Sequence, residues 1–216
     1  MLRFQIFGFP VTVHWMFWIV SALLGEAATA SSPGALQSVA VWVACVFVSV
    51  LWHELGHAFM MRRFGEQQPH ILLYGGGGLA MSRAFRTRFE QVLVSLAGPL
   101  AGFGLAFLVW LIDRAFPAAP RSLLEGAVVR LLFINIVWSV VNLLPVIPLD
   151  GGRITEALLA NHRRLALTIS LVCGAGLAVF FATRGSMFTT LMFAAMAMDN
   201  WRSLQGRATT GWMGHG

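Results

Sequence analysis

The run from Leu36 to Met61 is apolar almost throughout, and His53-Glu54-Leu55-Gly56-His57 lies inside it. At 1.5 Å per residue the run is long enough, as a helix, to cross a hydrocarbon core of about 30 Å. A spanning segment must satisfy its own backbone hydrogen bonds, so a helix is the conformation open to it. On that helix two imidazoles stand one turn apart with a carboxylate beside them. This is the minimal arrangement for a zinc ion and a general base. Ionisable groups at that depth are costly and need a chemical reason. Together these facts predict a metal-dependent hydrolase whose chemistry happens in or at a membrane.

Composition agrees. The 216 residues are 57% hydrophobic and 11% charged, with a mean hydropathy of +0.74. A soluble domain carries about a quarter charged residues, so the expectation is an all-α polytopic membrane protein forming a single domain over residues 1–216. Six apolar segments stand out, near Val11–Leu24, Leu36–Met61, Val92–Ile112, Ala127–Leu149, Leu165–Thr183 and Met187–Trp201. About six transmembrane helices are therefore expected, the first and last of them short. Two stretches read as β-like, both near the cytoplasmic face. Residues 3–14 alternate around Gly8 and Pro10 as a short strand pair. Residues 70–82 carry two apolar runs broken by Gly75, Gly76, Gly77 and Gly78. These glycines are either a flexible turn or an open strand edge that accepts an extended substrate. They are not a phosphate loop, because no Lys-Ser/Thr follows and no helix opens from them.

Arginine orients the segments, since all fifteen basic side chains are Arg. With the N-terminus inside, Arg3, Arg62, Arg63, Arg83, Arg86, Arg88, Arg153, Arg163, Arg164, Arg202 and Arg207 fall on the inner side. Arg114, Arg121, Arg130 and Arg184 fall on the outer side. This bias puts both termini in the cytoplasm of a multi-pass cell-membrane protein, with a bacterial inner membrane the natural setting. The net charge of +6 is dispersed as orientation signals are, and no compact basic module exists to hold nucleic acid. Cys45 and Cys173 read as inert core thiols. No cleavable signal peptide is evident at the N-terminus.

Cys45, Ser49, His53 and His57 recur every fourth residue, a polar stripe that should face protein or water. His53 lies nine residues before Arg62, so roughly 13 Å of helix separates it from the basic inner boundary. Two histidines leave zinc short of ligands. Asp113 belongs to the outer side, while Glu66, Glu90 and Asp199 fall in inner polar flanks. Asp150 follows Pro145 and Pro148, which must unwind or kink the fourth segment and let a carboxylate turn inward. Gly151-Gly152 then reads as a tight exit. Asn135, Ser139 and Asn142 form a second stripe that would face the first. Asn142 is either interhelical glue or a catalytic (oxyanion) or substrate contact. Gly98-Pro99-Leu100-Ala101-Gly102 reads as a close-packing face rather than chemistry. His14, His70, His162 and His215 read as surface or loop residues.

HELGH in one span, GPLAG in the next and N-LLP-VIP-LDGG at the end of another resemble the site-2 protease family of intramembrane zinc metalloproteases. Gly8–Trp15 (GFPVTVHW) and Leu72–Ser82 (LLYGGGGLAMS) are similar to that family's GIPVxVHW and L-x-x-GG-x-A elements. The resemblance covers roughly residues 1–155, with a three-helix core at about 36–155; the last two segments match only in being hydrophobic. It implies one zinc ion per chain held by His53, His57 and Asp150, with Glu54 as general base. Implied substrates are single-span membrane proteins, such as anti-sigma factors or remnant signal peptides. The expected form is minimal, without a PDZ-like insertion or a nucleotide-binding regulatory domain. Gating would then come from the spans, the β-like loops or a regulatory membrane partner. Gly102 stands where many relatives have Asn. The reaction expected is peptide hydrolysis by metal-activated water. The alternative is a membrane metal-binding or escort protein that presents substrates without cutting them.

Overall fold

The computed structural model describes residues 1–25, 32–81 and 87–206. Arg83, Arg86, Arg207, His215 and the last residue of the glycine-rich stretch, Ser82, lie outside the described residues. Within the chain, two compact units are drawn from residues 1–85 with 97–140 and from 86–96 with 141–216.

The first unit opens with a hairpin, β1 (Leu2–Ile6) and β2 (Phe9–Val13). Phe7 and Gly8 both have positive φ (51° and 82°), as a two-residue type I′ turn demands. The second hairpin is β3 (His70–Tyr74) and β4 (Gly77–Met81). Both β-like stretches were legible, but their union was not. β2 and β3 pair in parallel, Val11 opposite Ile71 and Val13 opposite Leu73, giving one sheet in the order β1-β2-β3-β4. Phe9, Val11, Val13, Ile71 and Leu73 are each at most 1% exposed and pack with Val50, Leu51, Leu55 and Ala58. The sheet is therefore fastened to the turns of helix that carry HELGH.

That helix is α2 (Pro33–Arg63). Ser32 caps it by accepting from the Ala35 N–H, and Arg62 and Arg63 complement the carbonyl end of its dipole. Beyond Phe64, Gly65 supplies a left-handed residue (φ 92°). The first apolar segment proves to be two things: Val11–Val13 belong to β2, and only Trp15–Leu24 form a helix, α1. The Nδ1 of His14 caps it, accepting from the Met16 N–H. α1 climbs antiparallel to α2, with Phe17 and Trp18 on Phe47, and further along the Ser21 carbonyl accepting from Trp42 Nε1. His70, expected at the surface, is half-buried with Nε2 3.0 Å from Thr12 Oγ1.

α3 (Arg88–Ala115) and α4 (Leu123–Asn142) follow. The part of α3 from Ala97 onward joins the first unit, where small residues let helices close on one another. A Cβ at Gly56 would lie 2.5 Å from the Ala97 carbonyl oxygen, and one at Gly102 would lie 2.2 Å from Ser139 Oγ. The polar stripes of α2 and α4 meet as expected at Asn135, whose Nδ2 donates to Ser49 Oγ at 2.8 Å.

The fourth segment unwinds at its prolines, one of the two outcomes expected: α4 stops at Asn142, residues 143–149 make tight turns, and Asp150 opens a separate helix, α5 (Asp150–Leu158). Pro145 and Pro148 lack the N–H that a continuing helix needs. Gly151 and Gly152 lie in the first turn of α5 rather than in an exit, and their bare Cα atoms allow backbone contact. Added Cβ atoms would sit 2.1 Å from the Leu143 oxygen and 2.4 Å from the Ile147 nitrogen. α6 (Arg163–Thr183) and α7 (Met187–Leu204) complete the second unit around Val146, Ala178 and Phe193.

Four described helices are long and apolar enough to cross a membrane: Gly34–Arg63, Arg88–Ala115, Leu123–Asn142 and Ala160–Thr183. Large apolar side chains such as Phe107, Trp110, Phe133 and Val179 stand exposed on them, as lipid-facing residues would. The chain is a mostly helical, multi-pass membrane protein with a small sheet. Cys45 and Cys173 are free thiols, as expected.

Candidate metal centre

His53, Glu54 and His57 are 2%, 4% and 6% exposed, so α2 turns its motif wholly into protein. The imidazoles stand edge to face, 4.8 Å between centroids, with their Nε2 atoms 3.1 Å apart. Two nitrogens bound to one tetrahedral zinc at about 2.0–2.1 Å would be separated by about 3.3 Å. The pair therefore fits a shared ion with an adjustment of a few tenths of an ångström.

Gly98 does more than let helices pack, contrary to the expectation for its small-residue face. A Cβ there would fall 2.2 Å from His57 Nε2 and 2.7 Å from His53 Nε2. The GPLAG face thus brings α3 against α2 and puts no side chain between the Gly98 backbone and the two Nε2 atoms. Any larger residue at 98 would occupy the space in front of them.

The glycine-rich stretch also reaches the motif. A Cβ on Gly78 would lie 2.4 Å from both Cγ and Oε1 of Glu54, and one on Gly77 would lie 2.9 Å from the Trp138 ring. β4 therefore runs with its backbone against the carboxylate. Gly75 and Gly76 form the turn instead, the first near Val20 and the second against Tyr74. The four glycines have two separate duties.

Asp150 and Asn142 belong to the second unit. Asp150 is 7% exposed at the first position of α5, where the helix dipole favours a carboxylate. Asn142 is the last residue of α4. Sequence reasoning overlooked two buried polar residues of this unit, Ser170 within the apolar run of α6 and Asn200 beside Asp199 and Arg202 in the polar end of α7. For Ser170 the signal was the one used for Asn135, a polar residue in an otherwise apolar spanning helix; Asn200, among charged neighbours, carried none.

The Peptidase M50B-like family model matches residues 19–180. A zinc metalloprotease of Methanocaldococcus jannaschii is 30% identical over 73% of this chain and 45% of its own length. Stage IV sporulation protein FB of Bacillus subtilis is 30% identical over 70% of this chain and 48% of its own. The chain thus spans less than half the length of these relatives. Among solved structures, the site-2 protease from Methanocaldococcus jannaschii shares the fold, with a TM-score of 0.67, 24% identity, and coverage of 100% of this chain and 99% of that one. With its HELGH helix, its small sheet and a family model matched over most of its length, the chain belongs to the Peptidase M50B-like family, the site-2 protease family that its motifs resemble.

Proposed function

We propose that the chain is an intramembrane zinc endopeptidase that cuts transmembrane segments near the cytoplasmic side, its two units acting as one catalytic domain. The observation that carries this reading is the buried pair of Nε2 atoms 3.1 Å apart, next to Glu54 on a helix of membrane-spanning length. His53, His57 and Asp150 would hold one zinc ion; all three are buried and offer the donor types that zinc takes. Bound there, zinc would lower the pKa of a water toward about 7 and polarise the scissile carbonyl.

Glu54 is the proton carrier. Its carboxylate takes a proton from the attacking water and returns it to the leaving amine. A helical substrate must first unwind, because its carbonyls are already hydrogen-bonded. β4, at the end of the sheet order, would hold the extended stretch by strand addition, with Gly77 and Gly78 keeping the approach to Glu54 open. Asn142 would contact the substrate or steady its oxyanion. Candidate substrates are single-span proteins such as anti-sigma factors or remnant signal peptides, and a membrane partner would supply regulation.

The arginine bias carries the reading of six crossings with both termini cytoplasmic. The ten helical residues of α1 supply about 15 Å, half of the core.

The Glu54→Gln form, with its zinc ligands intact, should retain uncut substrates. Peptides co-purifying with it from membranes are expected to be transmembrane segments that vanish when the wild type is present. Recovery of no membrane segment would argue against proteolysis.

A further inference from the structure

We propose that Ser170 on α6 and Asn200 on α7 are positioning residues for Asp150, so that the last two helices are part of the metal site's construction rather than membrane anchorage. This rests on the reading of Asp150 as a zinc ligand. Asp150 follows a stretch, residues 143–149, that has no regular secondary structure and two prolines. A ligand on the first turn of a helix that such a stretch leads into is only as well placed as the stretch is fixed, and metal geometry tolerates about 0.5 Å.

The fixing is concentrated on one residue, Ile147, three before Asp150, through the two peptide groups that flank it. The Ile147 N–H donates to Ser170 Oγ at 2.7 Å, and the Ile147 carbonyl accepts from Asn200 Nδ2 at 2.8 Å. α6 and α7 thus grip the same residue by its donor and its acceptor. Asn200 also donates to the Met196 carbonyl of its own helix at 2.7 Å, so both amide hydrogens have acceptors and the side chain is oriented. Ser170 and Asn200 are 1% and 2% exposed.

Packing fixes the neighbouring residue. Val146 is fully buried against Ala178 and Phe193. A Cβ at Gly174 would be 3.5 Å from Val146 Cγ1, ordinary contact, so α6 already lies close to the loop there. On the other side, Gly151 and Gly152 bring the first turn of α5 onto the backbone of Leu143 to Ile147. Hydrogen bonds from α6 and α7, an apolar plug and two backbone contacts hold the residues on both sides of Asp150. Interhelical glue alone would serve equally well between side chains; both bonds are instead spent on the backbone of the loop that leads into Asp150.

Zinc affinity, measured by chelator competition in detergent, tests this on the full chain. Ser170→Ala and Asn200→Leu should each bind zinc about tenfold more weakly than wild type, the lower end of what losing a ligand's own hydrogen-bond partner costs, because both act on Asp150 through the loop. Ser170→Thr, which keeps the hydroxyl, should stay near wild type. The cobalt(II) form supplies a second readout: displaced Asp150 changes the visible spectrum per bound cobalt. A merely structural role lowers the amount bound and leaves that spectrum alone, which would overturn the proposal. Asp150→Ala separates the two levels. If it binds zinc as wild type does, Asp150 is no ligand and the underlying reading fails. If it binds weakly while Ser170→Ala and Asn200→Leu bind normally, only the positioning role fails. Should Asn200→Leu not fold, the Ser170 pair tests the bond to the other peptide group of Ile147.

Discussion

Glycine decides as much at this site as histidine does. Gly98 faces the two Nε2 atoms, and Gly78 faces the Glu54 carboxylate. Their replacements should have different signatures. Gly98→Ala puts a methyl where the ion is proposed to bind. At the 1–3 kcal/mol typical of overpacking, zinc should bind about ten- to a hundredfold more weakly. Gly78→Ala displaces the base but not the imidazoles, so zinc content should hold while turnover falls about 10²–10⁴-fold. Metal analysis beside a cleavage assay separates the two. His53, Glu54 and His57 were legible because their spacing is a chemical signature that needs no tertiary knowledge. Gly98 was not, because a glycine in a small-residue face reads the same whether its neighbour is a methyl group or an imidazole.

At the scale of elements, the hairpins announced themselves by alternation and turn residues, yet the parallel β2–β3 pairing joins segments separated by all of α1 and α2. Local pattern carries no information on such a pairing. The break after Asn142 was half-legible. Two prolines forbid a continuous helix, but only the structure gives Asp150 its place at the start of α5. Its glycines make a testable contrast with others. A Cβ at Gly151 would meet the Leu143 carbonyl oxygen, whereas one at Gly104 in α3 meets nothing within 4 Å. Gly151→Ala should therefore lower both zinc binding and thermal stability. Gly104→Ala should be neutral or stabilising by up to about 1 kcal/mol, as thermal unfolding in detergent would register. The Ser49–Asn135 bond belongs to helix association. Ser49→Ala should cost about 0.6 kcal/mol in reversible unfolding, typical of such bonds in membranes, with cleavage retained.

For the whole molecule, composition and arginine placement were enough to assign it to a membrane, because charge is too expensive in hydrocarbon to be scattered. Crossing number was harder to read. α1 is short, and α7 carries Asp199 and Arg202 near its end, joined at 3.6 Å. The proposed topology predicts that single cysteines at Gln67 and Asn161 react with impermeant reagents from the cytoplasmic side, and one at Ala118 from the opposite side. Labelling of Gln67 and Ala118 from the same side would remove a crossing. Beyond topology, the proteolytic reading depends on Glu54 acting as a base and not as a ligand. The most direct test is the purified Glu54→Gln protein, assayed for zinc stoichiometry and for cleavage of a single-span substrate that the wild type cuts. One zinc per chain with cleavage abolished is the expected result. Cleavage at the wild-type rate by that variant would contradict the mechanism.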